Sequence, residues 1–256
     1  MNEEMKKRME NAFESTSQII FRKRLCGLDN YSDWLSLHVS KPLERSSAIS
    51  KQTVYCPNIL FFKFLGNGIV TLAESIELGK KSILKEDAEN LTLSNATLLL
   101  KEISYTTTEA VVGTNLDVEK SDIYGYSYHC YNGTYFVYSK YCAYCFWPRE
   151  SEYCFGSVYT FNSKFCIKCY YSTNLTRCFE MLNCYNCSDC YFCYNSENLM
   201  ECMFCFNTKS KRYAIGNIKV GKENYVKIKK IMMDEIVKRL EKDKKIDINI
   251  YNIEKY

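Results

Sequence analysis

The sequence has few of the residues on which most catalytic centres depend. Only two histidines are present, His38 and His129, and the ten glycines form no phosphate-binding loop. A Ser–His or Cys–His centre therefore has few candidates, and His129 borders a cysteine repeat where a surface role is expected. The sequence predicts a protein that is not an enzyme and that has no cofactor.

Long hydrophobic runs are also missing. The longest apolar stretch, NILFFKFL (58–65), is much shorter than the roughly 20 residues that span a bilayer. The opening MNEEMKKRMENAFE lacks the apolar core of a secretory signal. We therefore expect no membrane partner, and a protein that works or is assembled in the cytoplasm.

The charge of the chain favours no particular partner. The 34 basic and 30 acidic residues leave a net charge of +4, and no basic stripe accompanies the 22 tyrosines. A nucleic-acid partner is therefore not expected. Glutamine occurs only as Gln18 and Gln52, whereas lysine, isoleucine and tyrosine are plentiful. This bias is compatible with a thermophilic source.

Cysteine is the residue that the sequence has in excess. Of fifteen cysteines, all but Cys26 and Cys56 lie between Cys130 and Cys205. Seven of them recur every twelve residues: Cys130, Cys142, Cys154, Cys166, Cys178, Cys190 and Cys202. Columns offset by three, six and nine residues contain mostly Cys, Ser, Thr and Gly, with the exceptions Phe136, Pro148, Leu175, Met181 and Leu199. Every third position is therefore mostly small.

A fixed period of twelve residues predicts a narrow β-solenoid. The period is too short for a helical hairpin, which needs roughly thirty residues, but it matches one coil whose residues stack about 4.8 Å from their equivalents. A coil this narrow encloses almost no space, so its inward positions must be small, and cysteine behaves as a small buried hydrophobe. We expect residues 124–213 to form stacked coils with the seven cysteines in one inward row.

The outward columns also suit stacking. Asparagine tolerates left-handed backbone and can bond in register, and it fills two columns: Asn162, Asn174, Asn186 and Asn198, and Asn183, Asn195 and Asn207. Two further columns combine charges of both signs: Lys140, Glu152 and Lys164, and Arg177, Asp189 and Glu201. These columns predict surface ladders of amides and ion pairs.

Zinc is an alternative explanation of the cysteines. The C-x-x-C pairs have the spacing of a zinc ribbon, and one set could bind a tetrahedral metal from two stacked coils: Cys190, Cys193, Cys202 and Cys205. However, Cys130, Cys154 and Cys178 lie on the same grid without a C-x-x-C partner, and zinc does not explain them. We therefore expect the ladder without bound metal, and keep the four cysteines as the candidate ligands.

Disulfides are a second alternative, confined to one coil. Cys184 would face Cys190, and Cys187 would face Cys193, each half a coil apart. Elsewhere cysteine mostly faces Ser, Thr or an apolar residue across the coil. Most of the thiols are therefore expected to be free.

The segments that flank the solenoid are predicted to cap it. Residues 1–110 are expected to form an N-terminal helix over 3–25, a β-hairpin over 59–78 and short strands. The hairpin turn would be Gly66-Asn67-Gly68, and the opening coils would keep the grid at Leu91, Ile103 and Asn115. Residues 111–219 are assigned to the solenoid.

Residues 220–256 are interpreted as a helix over 222–242, with an apolar stripe, and a strand over 245–253. The stripe consists of Tyr225, Ile228, Met232, Ile236 and Leu240. The fold class is thus mainly β, a narrow β-solenoid of about 12 residues per coil with α-helical N- and C-terminal segments and a short β region before the solenoid.

One flank of the predicted coils is strongly apolar. Its aromatic members are Phe146, Phe155, Tyr170, Phe179, Tyr191 and Phe206. Either the terminal segments or a partner must cover such a surface. One C-terminal helix is too short to cover all of it, so the sequence predicts a partner contact at these six residues.

The repeat resembles a group of cysteine-rich repeat proteins of archaea, uncultured bacteria and their tailed viruses, for which no activity is assigned. The resemblance covers residues 120–225, and CMFCFNTKSKRYAIGN (202–217) is its most specific part. It implies a viral or mobile-element context. We therefore expect a structural or assembly protein, capsid-associated as a decoration or minor capsid subunit of an archaeal tailed virus or provirus.

Such a protein would be located in the virion, with itself or other virion proteins as partners. The alternative function is a cysteine-rich metal- or redox-linked binding module, which rests on the C-x-x-C pairs alone.

Overall fold

A parallel β-solenoid dominates the computed structural model, which describes residues 3–255. Its strands stack in register with an offset of twelve residues, so that Cys130 pairs with Cys142, Cys154 with Cys166 and Cys202 with Ala214. About nine such turns follow one another between Ala110 and Lys219. The predicted fold class and the inward cysteine row are confirmed.

The strands are short and are numbered along the chain. They are β1 (Leu43–Ser46), β2 (Thr53–Cys56), β3 (Ala110–Val112), β4 (Leu116–Ser121), β5 (Ile123–Gly125), β6 (Tyr128–Gly133), β7 (Phe136–Val137), β8 (Lys140–Ala143), β9 (Glu152–Phe155), β10 (Val158–Phe161), β11 (Lys164–Leu182), β12 (Tyr185–Ser188), β13 (Tyr191–Tyr194), β14 (Met200–Met203), β15 (Arg212–Ile215) and β16 (Ile218–Lys219). The helices are α1 (Glu3–Phe21), α2 (Ser32–Leu35), α3 (Leu60–Lys63), α4 (Leu72–Leu78), α5 (Lys85–Glu89), α6 (Ala96–Leu99) and α7 (Lys222–Asp243). No helix within residues 3–255 is long and apolar enough to cross a membrane.

Each coil is a square of four three-residue sides. A residue with left-handed backbone makes the corner, the next residue points inward and the third points outward, as in His129 (φ 53°), Cys130 and Tyr131. Left-handed backbone costs roughly 1–2 kcal/mol for most L-residues. Asparagine tolerates it, and aromatic corner residues stack on their equivalents in the next coil, as Tyr141 does on Tyr153 at 4.8 Å between ring centroids. Stacking between coils therefore offsets the strain within them.

The interior explains why the inward residues are Ser, Thr and Cys rather than Ala. Ser127 Oγ accepts from the N–H of Ser139 at 3.2 Å, and Ser157 Oγ accepts from the N–H of Cys169 at 3.1 Å. The backbone N–H of an inward residue thus donates to the side chain of the inward residue twelve positions before it. Where Phe136 offers no acceptor, the residue twelve later is Pro148, which has no N–H to satisfy.

The outward ladders form as the sequence predicts. Asn174 Nδ2 donates to Asn186 Oδ1 at 2.8 Å, and Asn183 Nδ2 donates to Asn195 Oδ1 at 3.1 Å. The Arg177 guanidinium binds both carboxylate oxygens of Asp189, at 2.8 and 2.7 Å. Glu152 lies between two lysines, 3.9 Å from Lys140 Nζ and 3.3 Å from Lys164 Nζ. These contacts align successive coils on the surface.

The chain's own termini cover two of the four outward faces. The helix-covered face lies under α1 and α7 and consists of Tyr131, Ala143, Phe155, Ile167, Phe179, Tyr191 and Met203. On it Phe13 packs against Phe155 at 5.3 Å, and Phe21 packs against Phe179 at 4.9 Å, both edge to face. A second face consists of Phe146, Val158 and Tyr170, and packs against Val39, Ile59 and Ile250.

The terminal helices agree with the sequence. Helix α1 ends at Phe21 rather than at residue 25 and buries Met5, Met9, Phe13 and Ile20. Helix α7 runs from Lys222 to Asp243, close to the predicted 222–242. It buries Tyr225, Ile236 and Leu240 of the predicted stripe together with Met233, whereas Ile228 is exposed.

The predicted hairpin over 59–78 is wrong, because this stretch contains helices α3 and α4. The reason is local: Thr71 and Glu74 form a capping box, in which Thr71 Oγ1 accepts from the N–H of Glu74 and the Glu74 carboxylate accepts from the N–H of Thr71. The hairpin of this region is instead formed by β1 and β2, which pair antiparallel.

Two further expectations are wrong. Leu91 and Ile103 lie outside the coils, in the helical stretch before β3, and only Asn115 reaches the first coil. No strand forms over residues 245–253, here called the C-terminal tail. Polar side chains close turns there: the Asn249 N–H donates to Asn252 Oδ1, and the Tyr251 N–H donates to Asn249 Oδ1. Such side-chain bonds compete with strand pairing.

Candidate functional site

The predicted structural ladder lies entirely inside the solenoid. Its seven members are fully buried: Cys130, Cys142, Cys154, Cys166, Cys178, Cys190 and Cys202. All fifteen cysteines are free thiols, so Cys184 and Cys187 form no disulfide with Cys190 and Cys193. Burial raises the pKa of Cys130, Cys145 and Cys178, which keeps these thiols neutral and poorly reactive.

The four candidate metal ligands lie on two successive coils and already have backbone partners. Cys190 Sγ donates to the Ser188 carbonyl at 3.1 Å, and Cys202 Sγ donates to the Met200 carbonyl at 3.3 Å. Cys193 and Cys205 make equivalent contacts. Within residues 3–255 there is no group of three or more His, Cys, Asp or Glu that could hold a metal ion.

The predicted partner contact is wrong for five of its six residues, because the chain itself covers them. Phe146, Phe155, Tyr170, Phe179 and Tyr191 are all buried. Phe206 is half-buried. Helix α1 packs over Phe155, Phe179 and Tyr191, in addition to the C-terminal helix that the sequence predicts as cover. Val39, Ile59 and Ile250 pack against the face of Phe146 and Tyr170. The aromatic flank is therefore internal core.

A buried ion pair lies at one corner of the solenoid. Lys168 and Glu180 occupy equivalent corners twelve residues apart, and both side chains are 0% exposed. Lys168 Nζ lies 3.7 Å from Glu180 Oε1 and donates to the Trp34 carbonyl at 3.0 Å. Glu180 Oε2 accepts from the N–H of Ile250 at 2.9 Å. The pair therefore joins the N-terminal segment, the solenoid and the C-terminal tail.

The groups around this pair titrate abnormally. Burial raises the pKa of Glu180 to about 7, although the ammonium of Lys168 opposes the rise. Burial lowers the pKa of Lys168, with Glu180 opposing, and lowers the pKa of His38, whose ring centroid is 5.9 Å from that of Tyr170. Burial raises the pKa of Tyr170 well above its usual value.

Perturbed pKa values of this kind often mark functional sites, but they also arise in structural ion pairs. Here Trp34 Nε1, His38 Nε2, Tyr170 Oη and Glu180 Oε1 are closed off from solvent and have no hydrogen-bond partner within residues 3–255. A substrate cannot reach atoms that solvent does not reach. We therefore assign the cluster as a junction between chain segments. The sequence pattern that indicates this ion pair is two opposite charges twelve residues apart beside an apolar column.

The exposed apolar residues concentrate in a different region, which sequence reasoning missed. Residues 59–99, here called the apolar arm, leave eight large hydrophobic side chains exposed: Leu60, Phe61, Phe64, Ile76, Leu84, Leu91, Leu93 and Leu98. Within the arm only Ile69, Val70 and Leu78 are buried. Phe64 is 78% exposed and Leu93 is 98% exposed. Exposed apolar side chains in such number indicate an interaction surface.

No family model, curated protein or solved structure matches this chain. Function is therefore inferred from the residues and contacts themselves.

Proposed function

We propose that the protein is an assembly component and not a catalyst, and that the apolar arm is its contact surface. The observation that carries the proposal is the exposure of the arm. Leu60 and Phe61 in the short helix α3, and Phe64 directly after it, are each at least 70% exposed. A partner that covers them would bury apolar surface, which stabilises the complex by roughly 25 cal/mol per Å².

The solenoid suits the role of a rigid support. Its interior is filled by small side chains, and hydrogen bonds between stacked side chains join successive coils. The solenoid therefore presents attached segments at a fixed position. A rigid support loses little conformational freedom on assembly, which favours repeated contacts. The chemistry of a catalyst has less support, because the abnormal acid and base groups are closed off from solvent.

In its most specific form the proposal is a capsid-associated subunit, a decoration or minor capsid protein of an archaeal tailed virus, assembled in the host cytoplasm. This form rests on the resemblance of the cysteine repeat. A thermophilic source is part of the same proposal and agrees with the composition.

The test removes two exposed apolar side chains of the arm. Phe61→Ser with Phe64→Ser is expected to leave the melting temperature within about 2 °C, since exposed substitutions rarely change stability. Incorporation into particles, measured by quantitative mass spectrometry of purified particles, is expected to fall at least about tenfold. The matched control is Tyr171→Ser with Tyr185→Ser, two exposed aromatic residues of the solenoid.

The control should assemble normally. If the arm variant folds and is incorporated as well as the wild type, the arm is not the contact surface. If the wild-type chain is found in no particle, the virion form of the proposal is overturned, and the arm then has to be tested against soluble partners by native mass spectrometry.

A further inference from the structure

The corner of the solenoid that carries the buried ion pair becomes apolar in the coils that follow. Phe192 and Phe204 occupy the next two equivalent corners after Glu180 and have the same left-handed backbone, with φ of 53° and 51°. Their rings are nearly parallel, with centroids 5.2 Å apart. The Phe192 ring also packs edge to face against Phe179, and only 1% of Phe192 is exposed. The two phenyl rings therefore form a fixed apolar floor.

A cavity of about 420 Å³ lies over this floor, between helix α7 and the C-terminal tail. Its interior is lined by apolar side chains: Phe192, Phe204, Met232, Ile236, Ile246 and Ile248. Small-molecule sites in proteins have volumes of about 300–1,000 Å³ and walls that are mostly apolar. The cavity therefore has the size and the lining of a site for a small ligand.

Contacts outside the cavity hold its two walls in place. Tyr225 Oη donates to the Asp189 carbonyl at 3.2 Å, which fixes the start of α7 on the solenoid. Glu180 Oε2 accepts from the N–H of Ile250 at 2.9 Å, which fixes the tail. Because both walls are anchored elsewhere, the cavity is preformed, and a ligand binds there without the cost of ordering them.

The exposed charged residues of the lining favour one kind of ligand. They are Glu235, Arg239 and Asp247. Arg239 Nη2 donates to Glu235 Oε1 at 2.7 Å, so these two charges balance, and Asp247 adds a second carboxylate. Lys245 Nζ lies 3.1 Å from Asp247 Oδ1 but is not part of the lining, and both side chains are more than half exposed. An exposed pair of this kind contributes little, so a cationic ligand group can replace the lysine.

We propose that this cavity binds a small primary amine with an apolar body. The body packs on Phe192 and Phe204, and the ammonium group lies at the rim beside the carboxylates of Glu235 and Asp247. Alkyl amines are protonated at neutral pH, since their pKa resembles the value of about 10.4 for lysine. A carboxylate of the same length fills the interior equally well but meets like charge at the rim. The proposal goes beyond the assembly role, because the arm takes no part in the site.

The experiment is isothermal titration calorimetry of the purified full chain at neutral pH with octylamine, 1-octanol and octanoate. Octylamine is expected to bind at one site with a Kd below about 100 μM, at least about tenfold more tightly than octanoate and with 1-octanol between them. Glu235→Gln with Asp247→Asn, at exposed positions, leaves Arg239 as the charge of the lining and should reverse this preference.

A second variant tests the interior of the cavity. Met232→Trp fills it and should weaken the binding of all three ligands at least about tenfold. Ile228→Trp, at an exposed position of the same helix, is the matched control and should bind them as the wild type does. If circular dichroism shows that Met232→Trp does not fold, the Glu235/Asp247 variant decides alone.

Several results would overturn the proposal. A wild-type chain that binds no octylamine at about 1 mM has no such site. Octylamine that binds no more tightly than octanoate shows that the rim does not select a cation. Binding that both the Met232 and the Glu235/Asp247 variants retain unchanged takes place elsewhere, and binding lost in Phe61→Ser, Phe64→Ser belongs to the arm. Failure of particle incorporation alone leaves amine binding unaffected, so the two proposals fail separately.

Discussion

The solenoid buries its apolar side chains beneath other segments, whereas the apolar arm leaves its apolar side chains exposed. On the helix-covered face Phe155, Ile167 and Phe179 are fully buried beneath α1 and α7. In the arm Leu60, Phe64 and Leu93 remain largely exposed. The repeat produces a straight apolar column that a helix can cover, whereas the arm's short helices α3 to α6 produce no such column.

The difference shows what a helix requires of the surface that it covers. Equivalent residues of a solenoid recur at a constant spacing along one line, and the apolar side of a helix is also a line. Helix α1 therefore contacts coil after coil with Met5, Met9, Phe13 and Ile20. The arm offers no continuous line, so its apolar side chains are available to another molecule.

The largest expected effect on stability comes from removing aromatic side chains from the helix-covered face. Phe179→Ser with Tyr191→Ser should unfold the protein or cost about 3–5 kcal/mol per side chain, because both residues are core and not surface. Equilibrium urea denaturation measures the loss. Tyr171→Ser with Tyr185→Ser, at exposed positions, should change stability by less than about 1 kcal/mol.

Equal stability of these two double variants would contradict the assignment of the flank as core. A stable, folded Phe179/Tyr191 variant would return that face to the candidates for a partner contact.

The second prediction concerns the buried pair that joins the termini to the solenoid. The pKa of Glu180 is raised to about 7, so its stabilising contribution is present at acidic pH and is lost as the pH rises through 7. Lys168→Met removes the charge that opposes this rise, so the pKa of Glu180 rises further, and at pH 8 folding must either take up a proton at Glu180 or bury an unpaired carboxylate. The expected cost is about 3–5 kcal/mol at pH 8.

At pH 5 the same substitution should cost much less, because Glu180 is then protonated with or without the lysine. Urea denaturation at both pH values gives the two free energies of unfolding. Lys164→Met is the matched control, since Lys164 pairs with Glu152 at 3.3 Å on an exposed face. It should cost less than about 1 kcal/mol at either pH. A Lys168→Met cost that is independent of pH would contradict the role of the pair.

The solenoid could be predicted from the sequence because its period is exact in the residues themselves. Seven cysteines twelve residues apart specify the register of every coil, and the Asn and charge columns follow from the same offset. The cover of the flank could not be predicted in the same way, since it depends on where α1 lies in space. Lys168 and Glu180 show the same limit: their offset is visible, but their burial depends on Trp34 and Ile250.

The errors in the N-terminal region have a local cause. Residues 59–78 place two mainly apolar runs on either side of Gly66-Asn67-Gly68, which favours a hairpin on pattern alone. The capping box of Thr71 and Glu74 is a short-range helix signal within the same stretch, and it prevails because Ser47 also donates to the Glu74 carboxylate at 2.6 Å. That contact spans 27 residues and is not visible in the local pattern.

A smaller effect is expected from the interior of the coils. Cys145 Sγ donates to the Ala143 carbonyl at 3.2 Å and accepts from the N–H of Ser157. Cys145→Ala leaves that N–H unpaired and should cost about 1–3 kcal/mol, whereas Cys145→Ser keeps an acceptor and should cost less. Thermal unfolding compares the two, with the exposed Cys26→Ala as control. An alanine variant as stable as the serine variant would show that the acceptor is unimportant.

The smallest effect is expected from metal removal. The ladder thiols bond to backbone groups of their own coil and of the next, as Cys178 Sγ does to the Thr176 carbonyl at 3.4 Å and to the Cys187 carbonyl at 3.6 Å. A fold held in this way does not depend on metal, so dialysis against EDTA should leave the melting temperature unchanged, and elemental analysis should find less than about 0.1 zinc per chain. One tightly bound zinc per chain, lost together with stability, would restore the metal-linked module. Serine substitution at Cys190 and Cys205 would then show whether the two stacked pairs bind it.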